Sequence, residues 1–277
     1  MAFFNVGTEN STTIQLYYED HGTSSPVVLI HGFPLSGASW EKQVSALMNA
    51  GHRVITYDRR GFGRSDQPAT GYDYDTITAD LHALMEHLAL EEVTLVGFSM
   101  GGGEVARYVG THGTTLVKRA VFIGAVPPYL VKAEENPLGA PPEIFEGIKA
   151  GIAADRPSFL TGFFENFFNL DVLKGTAITA EAVQMSWNVA VAASPIATYA
   201  CVDTWGTDFR ADLAKFDIPV LVIHGNADRI VPLPLSGERT AASIPGAKLT
   251  VIPGGPHAVT WTHADAVNAA LLAFLPE

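Results

Sequence analysis

Acyl-transfer chemistry asks a sequence for a hydroxyl held on an unusual turn, a base to take its proton and an acid to steady the base. The stretch GFSMG at residues 97–101 offers the first of these. It matches Gly-x-Ser-x-Gly, the pattern in which a buried strand turns abruptly into a helix and lifts a serine out on the turn. Glycine two places before and after the serine lets neighbouring backbone approach closely. The helix that follows aims its N-terminal N–H groups at any oxyanion formed there. Apolar VTLV before the motif and the helical rhythm of residues 102–108 after it give the required context, so Ser99 is the candidate nucleophile rather than part of an incidental glycine-rich turn.

Nine histidines compete to be the base. The chain order Ser, Asp/Glu, His expected of a strand–turn–helix nucleophile favours His257, in the loop PGGPHAVTW between the last strand-like run and the last helical one. His263 belongs to the start of that final helix, His82 and His87 ride a helix, His52 precedes a strand, and His112 lies beyond the nucleophile helix. His224 reads as a satisfied buried histidine at the end of a strand. The acid is Asp228, directly after PVLVIHGNA, although Asn226-Ala227-Asp228 is also good turn or capping sequence. Asp203, Asp208, Asp212 and Asp217 are poorer placed, in or near an irregular interval.

An oxyanion needs two backbone donors: Met100 N–H, directly after the nucleophile, and one from the loop after VVLI. That loop reads His31-Gly32-Phe33-Pro34, and proline has no N–H, which leaves Phe33 as the second donor. His31 is expected to fix the loop by hydrogen bonding. DRRGFGRSD, residues 58–66, carries glycines without the GxGxxG spacing and reads as a structural loop rather than a nucleotide cradle.

These residues need elements to hold them. Continuous apolar runs at residues 26–32, 53–61, 93–99, 117–125, 219–228 and 248–255 suit strands buried on both faces. Helical patterns fall at residues 40–48, 77–88, 105–109 and 264–275. The alternation predicts an α/β fold with a mostly parallel twisted sheet covered on both faces and functional loops at the strands' carboxyl ends. Residues 13–19, with Ile14, Leu16 and Tyr18 facing inward, are expected to form an antiparallel edge strand. Residues 1–126 and 217–277 make the core of this scheme. Residues 127–216, punctuated by Pro137, Pro141, Pro142, Pro157 and Pro195, make a helical cap inserted over the ligand-binding edge. Most phenylalanines of SFLTGFFENFFNL should form that insertion's own core.

A chain of 277 residues that is 47% hydrophobic can bury one large core. Its formal charge of -12, from 29 acidic against 17 basic residues, argues against nucleic acid and anionic membranes as partners. The single cysteine, Cys201, cannot close an internal disulfide, and no CxxC or HExxH spacing suggests a metal. No apolar run approaches the ~18 residues of a membrane span, and no signal-like segment opens the chain. A soluble, cytoplasmic protein is expected, with the sequon at Asn10 inert.

Taken in order, HGFP, DRRGFGRSD, GFSMGGGEVARY, HGNAD and GGPH resemble the α/β-hydrolase superfamily over essentially the whole chain. GFSMGGGEVARY with HGFP is similar to the cofactor-free bacterial haloperoxidases, also called perhydrolases, and their esterase and gamma-lactamase relatives. The resemblance implies a Ser99–His257–Asp228 triad, Phe33 and Met100 at the oxyanion positions, no cofactor and no metal. It also implies a role in perhydrolysis for Pro34, placed in the substrate pocket, and makes a homo-oligomer plausible. The acyl donor would be an ester, carboxylic acid or lactam. Hydrogen peroxide would release a peracid able to oxidise halide, and water would release the acid. Trp205, Ile230, Val231 and the cap phenylalanines are expected to line an apolar pocket for small or aromatic-edged acyl groups. A serine nucleophile speaks against haloalkane dehalogenase and epoxide hydrolase chemistry, which needs a carboxylate. The alternatives are a carboxylesterase or gamma-lactamase without significant perhydrolysis, a ligand-sensing receptor on the same fold, and a non-catalytic scaffold.

Overall fold

In the computed structural model, which describes residues 2–275, eight strands form one sheet. In chain order these are β1 (Ala2–Glu9), β2 (Thr12–His21), β3 (Pro26–Ile30), β4 (Arg53–Tyr57), β5 (Val93–Phe98), β6 (Val117–Ile123), β7 (Val220–Gly225) and β8 (Lys248–Ile252). Their order across the sheet is β1-β2-β4-β3-β5-β6-β7-β8. From β4 through β8 neighbouring strands run parallel, while β1 and β2 pair antiparallel with each other and β2 pairs antiparallel with β4.

Two of the strand expectations are corrected at the edges. Residues 13–19 do form an antiparallel strand, but β2 is the second strand and β1 is the edge. The sequence AFFNVGTE hides β1: most of its residues are exposed or half-exposed, and its pairing with β2 shifts register between Asn5 and Gly7, so its alternation breaks. At the opposite edge β8 is not buried on both faces. Leu249 and Val251, two residues apart and so on one face of the strand, are exposed there.

Helices α1 (Glu41–Asn49) and α11 (Ala264–Phe274) pack on one face, where Leu47, Val267 and Leu271 meet Val27, Leu29, Val54 and Val96. Helices α2 (Tyr74–His87) and α3 (Met100–His112) cover the other, where Ile77, Leu81, Val105 and Val109 meet Val28, Ile55 and Leu95. Asp73 caps α2 by accepting the Thr76 N–H at 2.8 Å. α9 (Gly237–Ser243) joins this second face beside β7 and β8, and the short α10 (Val259–Thr262) leads into α11.

Between β6 and β7 lie α4 (Pro142–Phe167), α5 (Leu170–Leu173), α6 (Ala180–Val191), α7 (Pro195–Thr204) and α8 (Arg210–Leu213). α4 is two helices meeting at a break, with Asp155 at φ -159° and ψ 89° just before Pro157. The break follows from proline's restriction of the preceding residues and its missing N–H. Among the described residues, no helix is long and apolar enough to cross a membrane.

Candidate active site

The turn from β5 into α3 holds Ser99 at φ 54° and ψ -119°, backbone that a non-glycine residue adopts only when its surroundings impose it. Here Ser99 N–H donates to Ile123 O at 2.9 Å, and Ser99 O accepts from Gly102 N–H at 3.0 Å and Val126 N–H at 3.2 Å. A side chain on Gly101 would strike Ile30 O, so glycine there is what lets α3 begin against β3. A Cβ on Gly32 would stand 2.9 Å from Ser99 Cβ, which shows how closely the His31–Pro34 loop passes the nucleophile. Phe33 and Met100, the expected oxyanion donors, therefore belong to the two segments flanking Ser99.

His257 arrives on the loop after β8 and is fully buried. Its Nε2 accepts the Ser99 hydroxyl at 2.9 Å and its Nδ1–H donates to Asp228 Oδ2 at 2.7 Å. Phe98 and Phe167 pack on the imidazole, each with ring centroids at 5.1 Å. Phe167 belongs to α4, and its carbonyl also accepts the Ala258 N–H at 3.1 Å. The expectation that most of the insertion's phenylalanines pack into a core holds for Phe164, Phe167 and Phe168, buried with Leu160, Ile178 and Ala190, but that core is shared with the sheet and Phe167 also packs on His257, while Phe159 and Phe163 face a cavity. The reason is geometric, since α4 lies against the sheet's carboxyl edge and its inner face meets the catalytic loops.

Asp228 sits in the loop after β7. Its Oδ1 accepts N–H from Ile230 at 2.9 Å and Val231 at 2.8 Å. Its Oδ2 takes the His257 bond and a second imidazole, His224 Nε2, at 3.3 Å. Burial pushes the Asp228 carboxyl upward, but His257 and His224 outweigh it and hold the group well below the usual carboxylate range. His224 corrects another expectation. Its Nε2 also reaches Val231 O at 2.8 Å, yet its Nδ1 is buried without a partner, so it is only half satisfied and it touches the acid. The sequence carries a faint signal for this: His224 and Asp228 are four apart across a tight turn.

A buried charge network lies behind the nucleophile, and sequence reasoning missed it. Arg59, from the DRRGFGRSD loop, pairs with Glu104 of α3 at 2.8 Å, and neither side chain is exposed. Tyr57 hydroxyl also donates to Glu104. Burial opposes the Arg59 charge; Glu104 and Tyr57 prevail and leave the guanidinium above its ordinary value. Arg59 also donates from its side chain to His31 O at 2.9 Å and from its backbone to His31 Nε2 at 3.0 Å. Burial and then the Arg59 charge push His31 well below its ordinary value, so it stays neutral, with Nδ1–H donating to Gly32 O at 2.9 Å. The network ties α3 to the loop carrying Phe33. Glu104 and Arg59 were findable, because a charge inside an otherwise apolar helix or strand end needs a buried partner.

A cavity of about 970 Å³ opens over Ser99, lined among others by Phe33, Val126, Trp205, Ile230 and Val231. Trp205 packs edge-on against Phe33 with centroids 4.8 Å apart. Pro34, expected in the pocket, is not among the lining residues; it is buried and joined to Phe33 by a cis peptide bond. Met100, His257 and Asp228 lie beneath this surface. Among the described residues, no group of three or more His, Cys, Asp or Glu could hold a metal. Cys201 is buried, and burial pushes its thiol up to about 12, which keeps it unreactive.

The model of the alpha/beta hydrolase fold family matches residues 25–264. The chain belongs to that family. A Synechocystis sp. protein provisionally named a non-heme chloroperoxidase is 57% identical over 99% of this chain and 100% of its own length. The crystal structure of a bromoperoxidase from Bacillus anthracis superimposes with a TM-score of 0.96 at 52% identity, covering 100% of this chain and 99% of that one. A bifunctional esterase/perhydrolase from Acinetobacter calcoaceticus is 36% identical over 95% of this chain and 96% of its own. These relatives place the chain in the non-heme haloperoxidase branch of the family.

Proposed function

We propose that the protein is a serine hydrolase of the cofactor-free haloperoxidase type, with Ser99, His257 and Asp228 as its triad. The observation that carries this reading is the unbroken hydrogen-bond chain from Ser99 through His257 to Asp228 beneath an apolar cavity. Ser99 Oγ attacks the carbonyl carbon of an ester, carboxylic acid or lactam while its proton passes to His257 Nε2. The oxyanion is met by Phe33 and Met100 N–H, and Asp228 stabilises the imidazolium. The tetrahedral intermediate then collapses, His257 returns the proton to the leaving group, and an acyl-enzyme remains.

Hydrogen peroxide attacks that ester by the same steps in reverse, giving its proton to His257 and leaving as a peracid when Ser99 Oγ recovers the proton. The peracid carries the oxidising power: with a halide ion and a proton it yields the carboxylic acid and hypohalous acid. Water in place of peroxide gives hydrolysis. The names of the relatives, chloroperoxidase, bromoperoxidase and esterase/perhydrolase, support both outcomes from one intermediate. Residues 127–216 act as the cap over the site, and the protein works in the cytoplasm as a homo-oligomer.

The test is to supply p-nitrophenyl acetate over a range of peroxide concentrations and quantify nitrophenol, acetate and peracetate, with Ser99→Ala as the blank. Peracetate rising at the expense of acetate is the expected result. Acetate alone would leave an esterase; no nitrophenol above the blank would remove the triad assignment.

A further inference from the structure

The insertion between β6 and β7 touches the loops of both His257 and Asp228 through one short turn, where α4 ends and α5 begins. Phe167 O accepts the Ala258 N–H at 3.1 Å, one residue beyond the base, and the Phe167 ring packs edge-on against the His257 imidazole. Two residues later, Asn169 Nδ2–H donates to Ala227 O at 2.9 Å, one residue before the acid. Ala227 N–H in turn donates to Gly255 O at 3.0 Å. The insertion, the Asp228 loop and the His257 loop therefore close a ring of hydrogen bonds beside the His257–Asp228 bond.

Asn169 is a costly residue for a turn alone. Its backbone is left-handed, at φ 49° and ψ 55°, where glycine rests without strain and asparagine is tolerated. It is 3% exposed, and its Oδ1 is buried without a partner. Glycine would remove both the strained φ and the orphaned oxygen. What glycine cannot supply is the amide N–H that reaches Ala227 O. The Arg229–Asp171 pair also ties α5 to the Asp228 loop, but its side chains are 41% and 61% exposed, so water screens it and the buried amide carries the tie.

We propose that Asn169 is a positioning residue of the reaction: through Ala227 O it fixes the Asp228 loop against the His257 loop, so that the insertion sets how the acid meets the base. This inference rests on the triad reading and adds a residue that acts through it. Only a small displacement is involved, since a misplacement of ~1 Å can cost about 100-fold in rate. Loss of one tether among several should cost less, about tenfold.

The experiment is Asn169→Gly, with p-nitrophenyl acetate turnover normalised to active sites titrated by an organophosphonate. The expected result is a fall of about tenfold in kcat with KM within about twofold, and organophosphonate labelling slowed by a similar factor. Tm should stay within about 3 °C of the parent's, because relief of the strained backbone offsets the lost bond. Asn169→Asp keeps the size and the tolerance for a left-handed backbone but has no N–H to give, so it should lose kcat likewise, and it serves where the glycine variant does not fold. A purely structural role predicts kcat per active site unchanged, whatever Tm does. That result, or a change confined to KM, overturns the proposal while the triad reading stands. Failure of both variants to fold would assign Asn169 to the fold and overturn it too. Parent turnover no greater than that of Ser99→Ala removes both readings.

Discussion

In the α/β core the consequential charges are buried and paired; in the insertion between β6 and β7 most charges lie at the surface, Asp212 paired to Arg107 of α3 excepted, and aromatic rings face the cavity. Arg59 and Glu104 are fully buried behind the nucleophile, and Asp228 accepts three N–H groups with the His224 imidazole 3.3 Å away. Across the site, half-buried Lys149 reaches exposed Asp203 and Arg210 reaches Asp208 at the surface, while Phe159, Phe163 and Trp205 face the cavity. The difference separates two duties. Chemistry needs charges fixed in position where water cannot screen them, and such positions are rigid because a misplaced buried charge is costly. Under the proposed function, substrate fit needs apolar area, which the insertion's aromatic rings facing the cavity would supply.

If that separation holds, changes in the core should strike catalysis or folding, and changes on the insertion's surface should do neither. The largest effect is expected from Ser99→Ala, which should lower kcat by about 10⁴-fold or more in a stopped assay of nitrophenol release while leaving the melting transition in place. Next comes Glu104→Ala. It strands the Arg59 guanidinium without its partner, a loss of about 3–5 kcal/mol, and Tm should fall on the order of 10 °C by calorimetry. A Tm unchanged by this variant would break the comparison at its strongest point.

His224→Leu removes one imidazole from Asp228 and leaves Val231 O without that donor. A fall of about tenfold in kcat/KM is expected in the nitrophenol assay, because the loop that carries Asp228 loses its tie through Val231 O. His224→Gln should recover part of the loss. A purely packing role would show no recovery with glutamine.

His31 sharpens the comparison through pH. The unfolded chain binds a proton at this residue below about pH 6.5, and the folded chain does not, since burial and Arg59 hold its value well below that. The unfolded state therefore gains protons first, and stability present above pH 6.5 is lost as pH falls. Tm should drop by about 2–4 °C per pH unit between pH 6.5 and 5, and His31→Gln should flatten the slope. The smallest effect is expected from Glu146→Ala, exposed on the insertion's surface, with Tm within about 1 °C and kcat/KM within about twofold of the parent.

How much of this was readable before folding depends on the range over which each feature is encoded. The nucleophile turn was legible because Gly97, Ser99 and Gly101 are local requirements of one backbone conformation. His257 and Asp228 were legible because strand ends in a parallel sheet collect at one edge, so chain order substitutes for distance. The insertion was visible as a gap in the alternation of strands and helices. β1 was not, since an exposed, bulged edge strand lacks the period that betrays a buried one.

The sequence by itself determined the α/β order, the Gly-x-Ser-x-Gly turn and the residues able to serve it, all properties of neighbours along the chain. Only the tertiary structure decided that Arg59 meets Glu104 across 45 positions, that His224 shares Asp228 with the base and that Phe167 leans on His257. It also decided that Pro34 stays out of the cavity. Each of these depends on which surfaces the packing brings together, and packing distance is set by the whole sheet and its helices rather than by any segment's own pattern.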